Sequence, residues 1–520
     1  MDDKIAIDKF LGYEESKTMQ QQNRKTTPKR EKDEKNGPKK TPKTENISEN
    51  PGFVGKTFHL LPSETALSNL RSPALQLAGF YRTNKFNLTD YRYLINKCNQ
   101  ILAYNEWLMG NLLCISKKIV LNLTPENIKP QNYIIELSNP KIFSQSQNYH
   151  EKMESLKEYS VGKTSEIVNA TIDGSNTSSG IGTSTVGADN SDNSGNIFNI
   201  YFIRDSDNFE NFRNLAIIFS ISHAVADMAT LYRLFNMMDS NTKVYALNRN
   251  TVQYIEYLRK ETTLCDYTGR DPRLTHGKKM FLPFLVKSWA RLRKKKAMKT
   301  KASLSVKQRQ LDDNQYDYDI KIFDYRLNSK YLSQQKHNLN VEYGQPVSTF
   351  HIMTHWLFNF NDKADNIIIP IDLRGKLNHL SKNLAGNYLS AAYLRKDDLA
   401  TPIDIKMAVN LKFFKSPLGK NCTTYGSFND FKKYPYGSVV CLDKFYRKLH
   451  LPGLELKMLV PVFFVEVPTF YKVKMAVEEN MVLFKINDHE HGCYIICGSG
   501  RITEGKLEHE EVLGKRIFGW

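Results

Sequence analysis

Apolar residues recur along the chain in two kinds of run, and each kind predicts one type of secondary structure. Short, nearly continuous apolar runs are typical of buried strands, and they fall at residues 75–81, 107–113, 117–121, 197–203, 215–221, 366–371, 389–394, 481–486 and 493–497. Apolar residues three or four positions apart are typical of helices, which we expect from about residue 87 and at 227–238, 348–358 and 508–513. The expected N-caps are Thr89 or Asp90 in the first helix and Ser348 or Thr349 in the third. This mixture predicts a mixed α/β (α+β) fold.

Three polar segments divide the pattern into domains. Residues 1–51 are rich in Lys, Gln, Pro and Thr, which predicts a disordered basic tail. Residues 164–196 are dominated by Ser, Gly, Thr, Asn and Asp, so we expect a flexible insertion there. Residues 246–315 are irregular and basic, which predicts a crossover linker between a first domain at 52–245 and a second domain at 316–520.

Positive charge is concentrated in two of these segments. The chain has 73 basic and 55 acidic residues and a formal charge of +18. Residues 17–43 hold ten Lys or Arg against three acids, and residues 287–310 hold ten against none. These two runs contribute +7 and +10, so the rest of the chain is almost neutral. A protein that binds nucleic acid along a groove needs basic residues over its folded body, and this distribution argues against one.

Cysteine usage and the start of the chain indicate the compartment. The seven cysteines are scattered and form no CxxC pair, so we expect neither a zinc cluster nor a disulfide framework. Residues 1–13 carry three aspartates and no long apolar run, so we expect no signal peptide. The sequence therefore predicts a cytoplasmic protein in a reducing environment.

Residues 281–301 join an apolar stretch to a basic one and leave three interpretations open. The segment can lie on an anionic membrane surface as a peripheral contact. It can supply positive charge to an anionic ligand. It can also be a solvated loop with a few apolar anchors. Pro283 argues against one unbroken helix in this stretch.

The segment at residues 218–231, IFSISHAVADMATL, combines a buried strand with a histidine and an aspartate. The strand places His223 at its end, where one ring nitrogen can face a cavity while a backbone carbonyl fixes the other. A neutral imidazole is a suitable general base for a hydroxyl or an amine. Ala224 and Ala226 leave room for a substrate beside it. Taken alone, His223 and Asp227 are a weak signal, because most such pairs are core or surface residues.

Together with three other blocks, this segment resembles the HxxxD motif of the chloramphenicol acetyltransferase-like superfamily. That superfamily includes plant BAHD acyltransferases, fungal alcohol and trichothecene acetyltransferases, and peptide-synthetase condensation domains. The other blocks lie at 94–113, 346–356 and 369–387, in the order that the family shows. The last block contains a D-x-R triplet that ends at Arg374, followed by Gly386 and Asn387.

The resemblance implies a fold, a reaction and roles for several residues. It implies two similar domains, each a mixed β-sheet with flanking helices, and an active-site tunnel at their interface. His223 is the implied catalytic base, and Asp227 and Arg374 are an implied structural salt bridge at the site. The implied reaction moves an acyl group, expected to be acetyl, from acyl-CoA to a small alcohol or amine. Acyl-CoA is thus a co-substrate, no cofactor is bound, and we expect a monomer.

Departures from the family pattern keep a second hypothesis open. Many relatives have a second histidine where this chain has Ser222, and a glycine where it has Met228. The plant DFGWG block is absent. Ser222, Met228 and Asn387 are therefore candidate channel residues, and Met228 can crowd the channel. The alternative is a catalytically inactive member of the same fold that acts as a binding or scaffold protein.

Two other groups of polar residues invite a metal interpretation. His351 and His355 are four positions apart on a predicted helix, but the glutamate of an HExxH motif is missing. Residues 488–491, DHEH, form a polar turn between two predicted strands. We interpret the histidines as core and rim residues and the turn as a hairpin tip, and we expect no metal.

Overall fold

The strands assemble into three sheets, and the computed structural model describes residues 55–61, 63–65, 74–83, 86–115, 118–162, 195–208, 212–249, 321–360, 366–375, 380–395, 400–409, 436–462, 477–497 and 502–518. The predictions for 1–51, for nearly all of 164–196 and for nearly all of the linker at 246–315, which includes 281–301, lie outside these residues. From Thr57 onward the chain belongs to one compact unit.

The strands within the described residues are β1 (Lys56–His59), β2 (Leu75–Thr83), β3 (Asn111–Ile115), β4 (Lys118–Leu123), β5 (Ile134–Ser138), β6 (Phe198–Arg204), β7 (Asn214–Ile221), β8 (Lys321–Leu327), β9 (Asn366–Asp372), β10 (Leu389–Arg395), β11 (Tyr436–Cys441), β12 (Leu454–Val462), β13 (Val477–Lys485), β14 (His491–Cys497) and β15 (Leu513–Arg516). The helices are α1 (Leu88–Tyr104), α2 (Tyr149–Lys157), α3 (Met228–Asn236), α4 (Ser329–Tyr343), α5 (Thr349–Phe360), α6 (Pro402–Val409) and α7 (Glu504–Leu507). Short 3₁₀ turns lie at Glu106–Met109, Pro125–Asn127, Pro130–Tyr133, Pro140–Phe143 and Asp443–Phe445. The predicted mixed α/β class is confirmed.

The five-stranded sheet has the order β12-β2-β7-β6-β5 and carries the candidate site at one end. β2 and β7 are its central pair and run antiparallel, with Leu75 opposite Ile221. Both strands are buried almost throughout, which explains why their sequences are apolar without alternation. β12 pairs with β2, although residues 454–462 lie in the predicted second domain. The domain boundaries themselves stay a prediction.

The seven-stranded sheet has the order β10-β9-β11-β13-β14-β8-β15 and separates two apolar cores. Side chains alternate between its faces, as the period of two in a strand requires. Phe484 and Tyr494 pack into the core of the five-stranded sheet, whereas Leu483 and Cys493 pack into a second core. That second core also contains residues of α4, α5 and α6, so these helices cover the far face. A small sheet of order β1-β4-β3 completes the set.

Three local predictions are wrong, each for an identifiable reason. The cap of α1 is Asn87, whose Oδ1 accepts hydrogen bonds from the backbone N–H groups of Thr89 and Asp90 at 2.8 and 3.0 Å. The backbone N–H of Asn87 donates to the Asp90 carboxylate, which completes a capping box. The strand expected at 107–113 begins only at Asn111, after a 3₁₀ turn. The last helix lies at Glu504–Leu507, and β15 begins where the helix was expected to end.

Candidate active site

His223 lies in the short connection between β7 and α3, and it is the accessible residue of that connection. Every residue from Leu215 to Tyr232 is buried apart from His223, which is partly exposed. β7 is fixed on both sides, by β2 and by β6, and the N–H of Ser222 extends this pairing by donating to the Ile197 carbonyl at 2.8 Å. The strand therefore holds the histidine backbone rigidly while the ring keeps some accessible surface.

One nitrogen of the His223 ring is occupied, and this determines what the other can do. Nδ1 lies 3.0 Å from the carbonyl oxygen of Ala226. Because a carbonyl oxygen can only accept, Nδ1 carries the proton, and Nε2 of the neutral ring keeps its lone pair. Burial lowers the pKa of His223 below its ordinary value, although the Ala226 carbonyl and the Asp227 carboxylate act in the opposite direction. The ring is thus a neutral imidazole near pH 7, with a free basic nitrogen.

Asp227 joins the end of this connection to the first turn of α3. Its Oδ1 accepts the backbone N–H of Thr230 at 2.9 Å, which caps the helix, and it also accepts the Thr230 hydroxyl at 2.9 Å. Both of its oxygens accept from Nη2 of Arg374, at 3.0 and 2.9 Å. Asp227 is 1 % exposed and Arg374 is 5 % exposed. The carboxylate is therefore fixed by Thr230 and Arg374, and it ties α3 to the chain that follows β9.

The guanidinium of Arg374 donates hydrogen bonds to several groups from both halves of the chain. Besides Asp227, its Nη1 donates to Asp372 at 2.9 Å and its Nε to the Leu384 carbonyl at 2.9 Å. Nη2 also makes a short contact with the Gly386 carbonyl. Burial alone would lower the pKa of Arg374, but the carboxylates of Asp227 and Asp372 raise it above its ordinary value. A buried guanidinium with this many partners is a fixed part of the framework.

Asn387 connects the second half of the chain directly to the histidine. Its Nδ2 donates to the backbone carbonyl of His223 at 2.9 Å. Its own carbonyl accepts the Ser63 hydroxyl at 2.8 Å. The side chain is 1 % exposed. Asn387 therefore holds the orientation of the peptide that follows His223.

Ser222 and Met228 flank the histidine and the aspartate within the buried interior. Ser222 is 1 % exposed, and its hydroxyl lies 3.4 Å from the Ala224 nitrogen. Met228 is 8 % exposed and belongs to the apolar core at the start of α3. A channel role for Ser222, Met228 and Asn387 stays a prediction.

The structure also shows residues of the site that the sequence did not single out. Thr230 joins Asp227 to Arg374, since its hydroxyl lies 3.2 Å from the Arg374 Nη2. Asp372 is the first residue of the D-x-R triplet and shares the guanidinium. Glu64 and Arg249 form a second buried ion pair close to Asn387. The position of Thr230, three residues after a capping Asp, is a sequence signal that could have been used. For Glu64 and Arg249, which are 185 positions apart, the sequence holds no comparable signal.

The other polar groups do not come together into a metal site within the described residues. His351 contacts Ser348, and Nε2 of His355 contacts the Ala400 carbonyl at 2.9 Å, so the two rings have separate partners. The pKa of His351 is lowered to about 4, chiefly by burial. None of the described helices is long and apolar enough to cross a bilayer.

Comparison with known proteins finds matches among solved structures, at low sequence identity. No protein-family model matches the sequence, and no curated protein matches it. Vinorine synthase is similar at 10 % identity and a TM-score of 0.48, over 90 % of this chain and 96 % of that one. TRI101 from F. graminearum, in complex with coenzyme A and T-2 mycotoxin, is similar at 11 % identity and a TM-score of 0.47, over 87 % of this chain and 96 % of that one. The TRI3 trichothecene 15-O-acetyltransferase from Fusarium sporotrichioides is similar at 8 % identity and a TM-score of 0.44, over 87 % of this chain and 92 % of that one.

Proposed function

We propose that the protein transfers an acyl group from an acyl thioester to an alcohol or amine, with His223 as the general base. The observation that carries this proposal is the state of the His223 ring, in which Nδ1 is bound to the Ala226 carbonyl and Nε2 therefore keeps its lone pair. The donor class, acyl-CoA, follows from the resemblance of residues 218–231 and 369–387 to the HxxxD superfamily.

The reaction needs one proton to move twice through Nε2 of His223. The acceptor hydroxyl or amine donates its proton to Nε2 while its oxygen or nitrogen attacks the thioester carbonyl carbon. A tetrahedral intermediate forms, and the carbon–sulfur bond then breaks. The leaving thiolate takes the proton back from Nε2. The products are an ester or amide and a free thiol, and His223 returns to its starting state.

Asp227 and Arg374 serve this reaction without touching the reacting atoms. Their ion pair fixes the start of α3 and therefore the Ala226 carbonyl that orients the ring. Such a bond selects the tautomer with its lone pair on Nε2. Holding the base in one geometry lowers the entropy cost of reaching the transition state.

The test is release of free thiol from acetyl-CoA, measured with a thiol reagent against a panel of small alcohols and amines. We expect turnover by the wild type and a loss of about 10²–10⁴-fold in His223→Ala, the usual contribution of a general base. His489→Ala is the matched control, because His489 is an exposed hairpin residue, and it should keep full activity. Equal rates in the wild type and His223→Ala contradict the proposal.

The pH profile gives an independent check on the base. Because the pKa of His223 lies below its ordinary value of 6.5, the acid limb of kcat/KM should have its midpoint below pH 6.5. Activity should therefore hold at mildly acidic pH and fall as the ring becomes protonated. Binding of CoA without any turnover across the acceptor panel favours the catalytically inactive alternative.

A further inference from the structure

Glu64 and Arg249 form a buried ion pair that the proposed chemistry does not use. Nη2 of Arg249 lies 2.7 Å from Oε2 of Glu64, and Nη1 lies 2.9 Å from Oε1, so the contact is bidentate. The two side chains are 1 % and 0 % exposed. Glu64 Oε2 also accepts the backbone N–H of Leu61 at 2.9 Å. The pair thus joins two distant parts of the chain in the interior.

This pair bears directly on the segment at residues 384–387. Oε1 of Glu64 accepts the backbone N–H of Asn387 at 3.0 Å. Gly386 has a φ of +127°, and a Cβ added there would lie 2.6 Å from Nη1 of Arg249 and 2.8 Å from Oε1 of Glu64. Only glycine allows so close an approach at this backbone conformation. Arg374 holds the same segment from its other side, through the Leu384 and Gly386 carbonyls.

Asn387 is the link from this segment to the histidine. Its backbone N–H is held by Glu64, and its side-chain Nδ2 holds the His223 carbonyl. A shift of the Asn387 backbone would therefore move the peptide between His223 and Ala224. That peptide begins the turn whose Ala226 carbonyl fixes the ring.

We infer that Glu64 and Arg249 are a positioning pair that holds Asn387 and, through it, sets the geometry of His223. This inference rests on the proposed function, in which His223 is the base. It assigns a role to a charged pair whose contribution to stability is expected to be small. Buried ion pairs are often no more stabilising than apolar residues of similar size, and Nε of Arg249 has no partner in the described part of the chain. A pair of this kind can be retained because it fixes one arrangement of the chain around it.

The kinetic test compares Glu64→Gln with the wild type in the thiol-release assay. We expect kcat to fall about 10–100-fold with KM changed less than about threefold, because the variant misplaces the base and leaves substrate contacts intact. Asn387→Ala should give a similar loss. The double variant Glu64→Gln/Asn387→Ala should be no worse than the poorer single variant, because both substitutions break the same link. Losses that multiply in the double variant overturn the inference.

A second variant separates positioning from folding. Glu64→Leu/Arg249→Met removes both charges together, so no buried charge is left without its partner and the melting temperature should fall less than in Glu64→Gln; the remaining loss comes from the backbone N–H groups of Leu61 and Asn387. It also removes the acceptor of the Asn387 N–H, so kcat should still fall. The matched control is Arg516→Met, which breaks the ion pair with buried Asp324 in the seven-stranded sheet. This control should lower the melting temperature and leave kcat unchanged. Full activity in the Glu64→Leu/Arg249→Met variant contradicts the positioning role.

The last readout does not require turnover. Diethyl pyrocarbonate modifies neutral histidines, and peptide mass spectrometry can follow its reaction with His223 as a function of pH. Asp227 and Glu64 are the carboxylates that raise the pKa of His223, so Glu64→Gln should move the midpoint of this reaction to lower pH. Because loss of the Glu64 charge by itself shifts the midpoint, the rate of modification at a pH above the midpoint is the readout of geometry. A changed rate in a protein that shows no turnover sinks the proposed function and keeps the positioning role. An unchanged rate of modification above the midpoint, whether or not the midpoint moves, sinks the positioning role alone.

Discussion

Two clusters of buried charge in this protein obey opposite rules. The Arg374 cluster consists of Asp227, Asp372 and Arg374, and it lies where α3 meets the chain after β9. The Asp443 cluster consists of Asp443 and His491 with Lys336 and Lys485 close enough to act on them, and it lies beside the β13–β14 hairpin. Both clusters are largely shielded from solvent, yet only the first has matched partners.

The difference is visible at the two carboxylates. Both oxygens of Asp227 accept hydrogen bonds from Arg374. In contrast, Oδ1 of Asp443 is buried with no partner among the residues that the structure describes, and its Oδ2 lies 3.6 Å from His491 Nε2, beyond hydrogen-bond distance. Burial therefore raises the pKa of Asp443 to about 6 and lowers that of His491 to about 4. Burial alone does not decide whether a charged group stabilises the fold. The hydrogen-bond and ion-pair partners of the group decide it.

The largest expected effect comes from breaking the matched cluster. Asp227→Asn keeps an oxygen that can cap Thr230 but removes the negative charge opposite Arg374. Breaking one side of a buried pair costs about 3–5 kcal/mol, and we expect the lower end because Arg374 keeps Asp372. The free energy of unfolding, measured by urea denaturation, should fall by about 3 kcal/mol.

An exposed pair provides the control for this prediction. Glu154 and Lys157 are 3.2 Å apart on α2, and their side chains are 74 % and 49 % exposed. Glu154→Gln should change the free energy of unfolding by less than about 0.5 kcal/mol. If Asp227→Asn proves as mild as Glu154→Gln, the Arg374 cluster is not a matched framework and the comparison between the clusters fails.

The same contrast explains what the sequence could and could not predict. The strands at 75–81, 197–203 and 215–221 were predictable because buried strands read as continuous apolar runs. The proximity of Asp227 and Arg374 was implied by the motif resemblance, and the structure places them in contact. α4 was missed because it is polar on almost every side, with Leu332 its one buried residue in the described structure. Its Asn328 cap and the Gly344 that ends it at a φ of +62° are local signals that were available.

Pairings between residues that are far apart in the chain could not be predicted from the sequence. Nothing in residues 454–462 indicates that they join the sheet of β2 rather than the sheet of their neighbours. The pairing of Glu64 with Arg249 depends on a fold that brings residues 61–64 and 384–387 together. The segment expected to be a helix at 508–513 is instead a turn that leads into β15, whose edge pairing places Leu513 opposite Leu327, and tertiary contacts of this kind override local preference.

The second prediction applies the same chemical change to the unmatched cluster and expects the opposite sign. The folded pKa of Asp443 is about 6, against an ordinary value of 3.8. The fold therefore loses stability as the pH rises from about 4 to about 6, and the full cost is present at pH 7. Asp443→Asn should raise the free energy of unfolding at pH 7 by about 1–3 kcal/mol.

The pH dependence makes this gain specific to the carboxylate. At pH 4 the carboxyl group is protonated in the folded protein and only partly protonated in the unfolded chain, so Asp443→Asn should give a much smaller gain than at pH 7. Urea denaturation of both proteins at pH 4 and pH 7 measures the difference. A loss of stability at pH 7 would show that Asp443 has a compensating partner after all.

The prediction with the smallest expected effect concerns a buried amide close to the candidate site. It tests whether the hydrogen-bond partners of a buried polar group, rather than its distance from the site, set the sign of the change in the free energy of unfolding. Gln76 lies on β2 opposite Ser220, which precedes His223 by three residues. Gln76 is 0 % exposed. Both atoms of its amide lack a partner among the described residues. Although it lies at the end of the sheet that carries the candidate site, it should follow the rule of the Asp443 cluster. Gln76→Met, which keeps the shape and removes the amide, should raise the free energy of unfolding by about 1 kcal/mol.

Asn199 offers the matched control in the same row of side chains. It lies opposite Ser220 on the other flank of β7 and is 1 % exposed. Its amide is bonded on both sides, since Nδ2 donates to Tyr201 at 3.0 Å and Oδ1 accepts from Asn196 at 3.0 Å. Asn199→Leu should therefore lower the free energy of unfolding by about 1–3 kcal/mol. Opposite signs for two buried amides on the two strands that flank β7 would tie the effect to their partners, because both amides are buried and both lie opposite Ser220 in the same sheet. Equal signs would mean that packing around each side chain, rather than hydrogen bonding, governs the polar interior of this sheet.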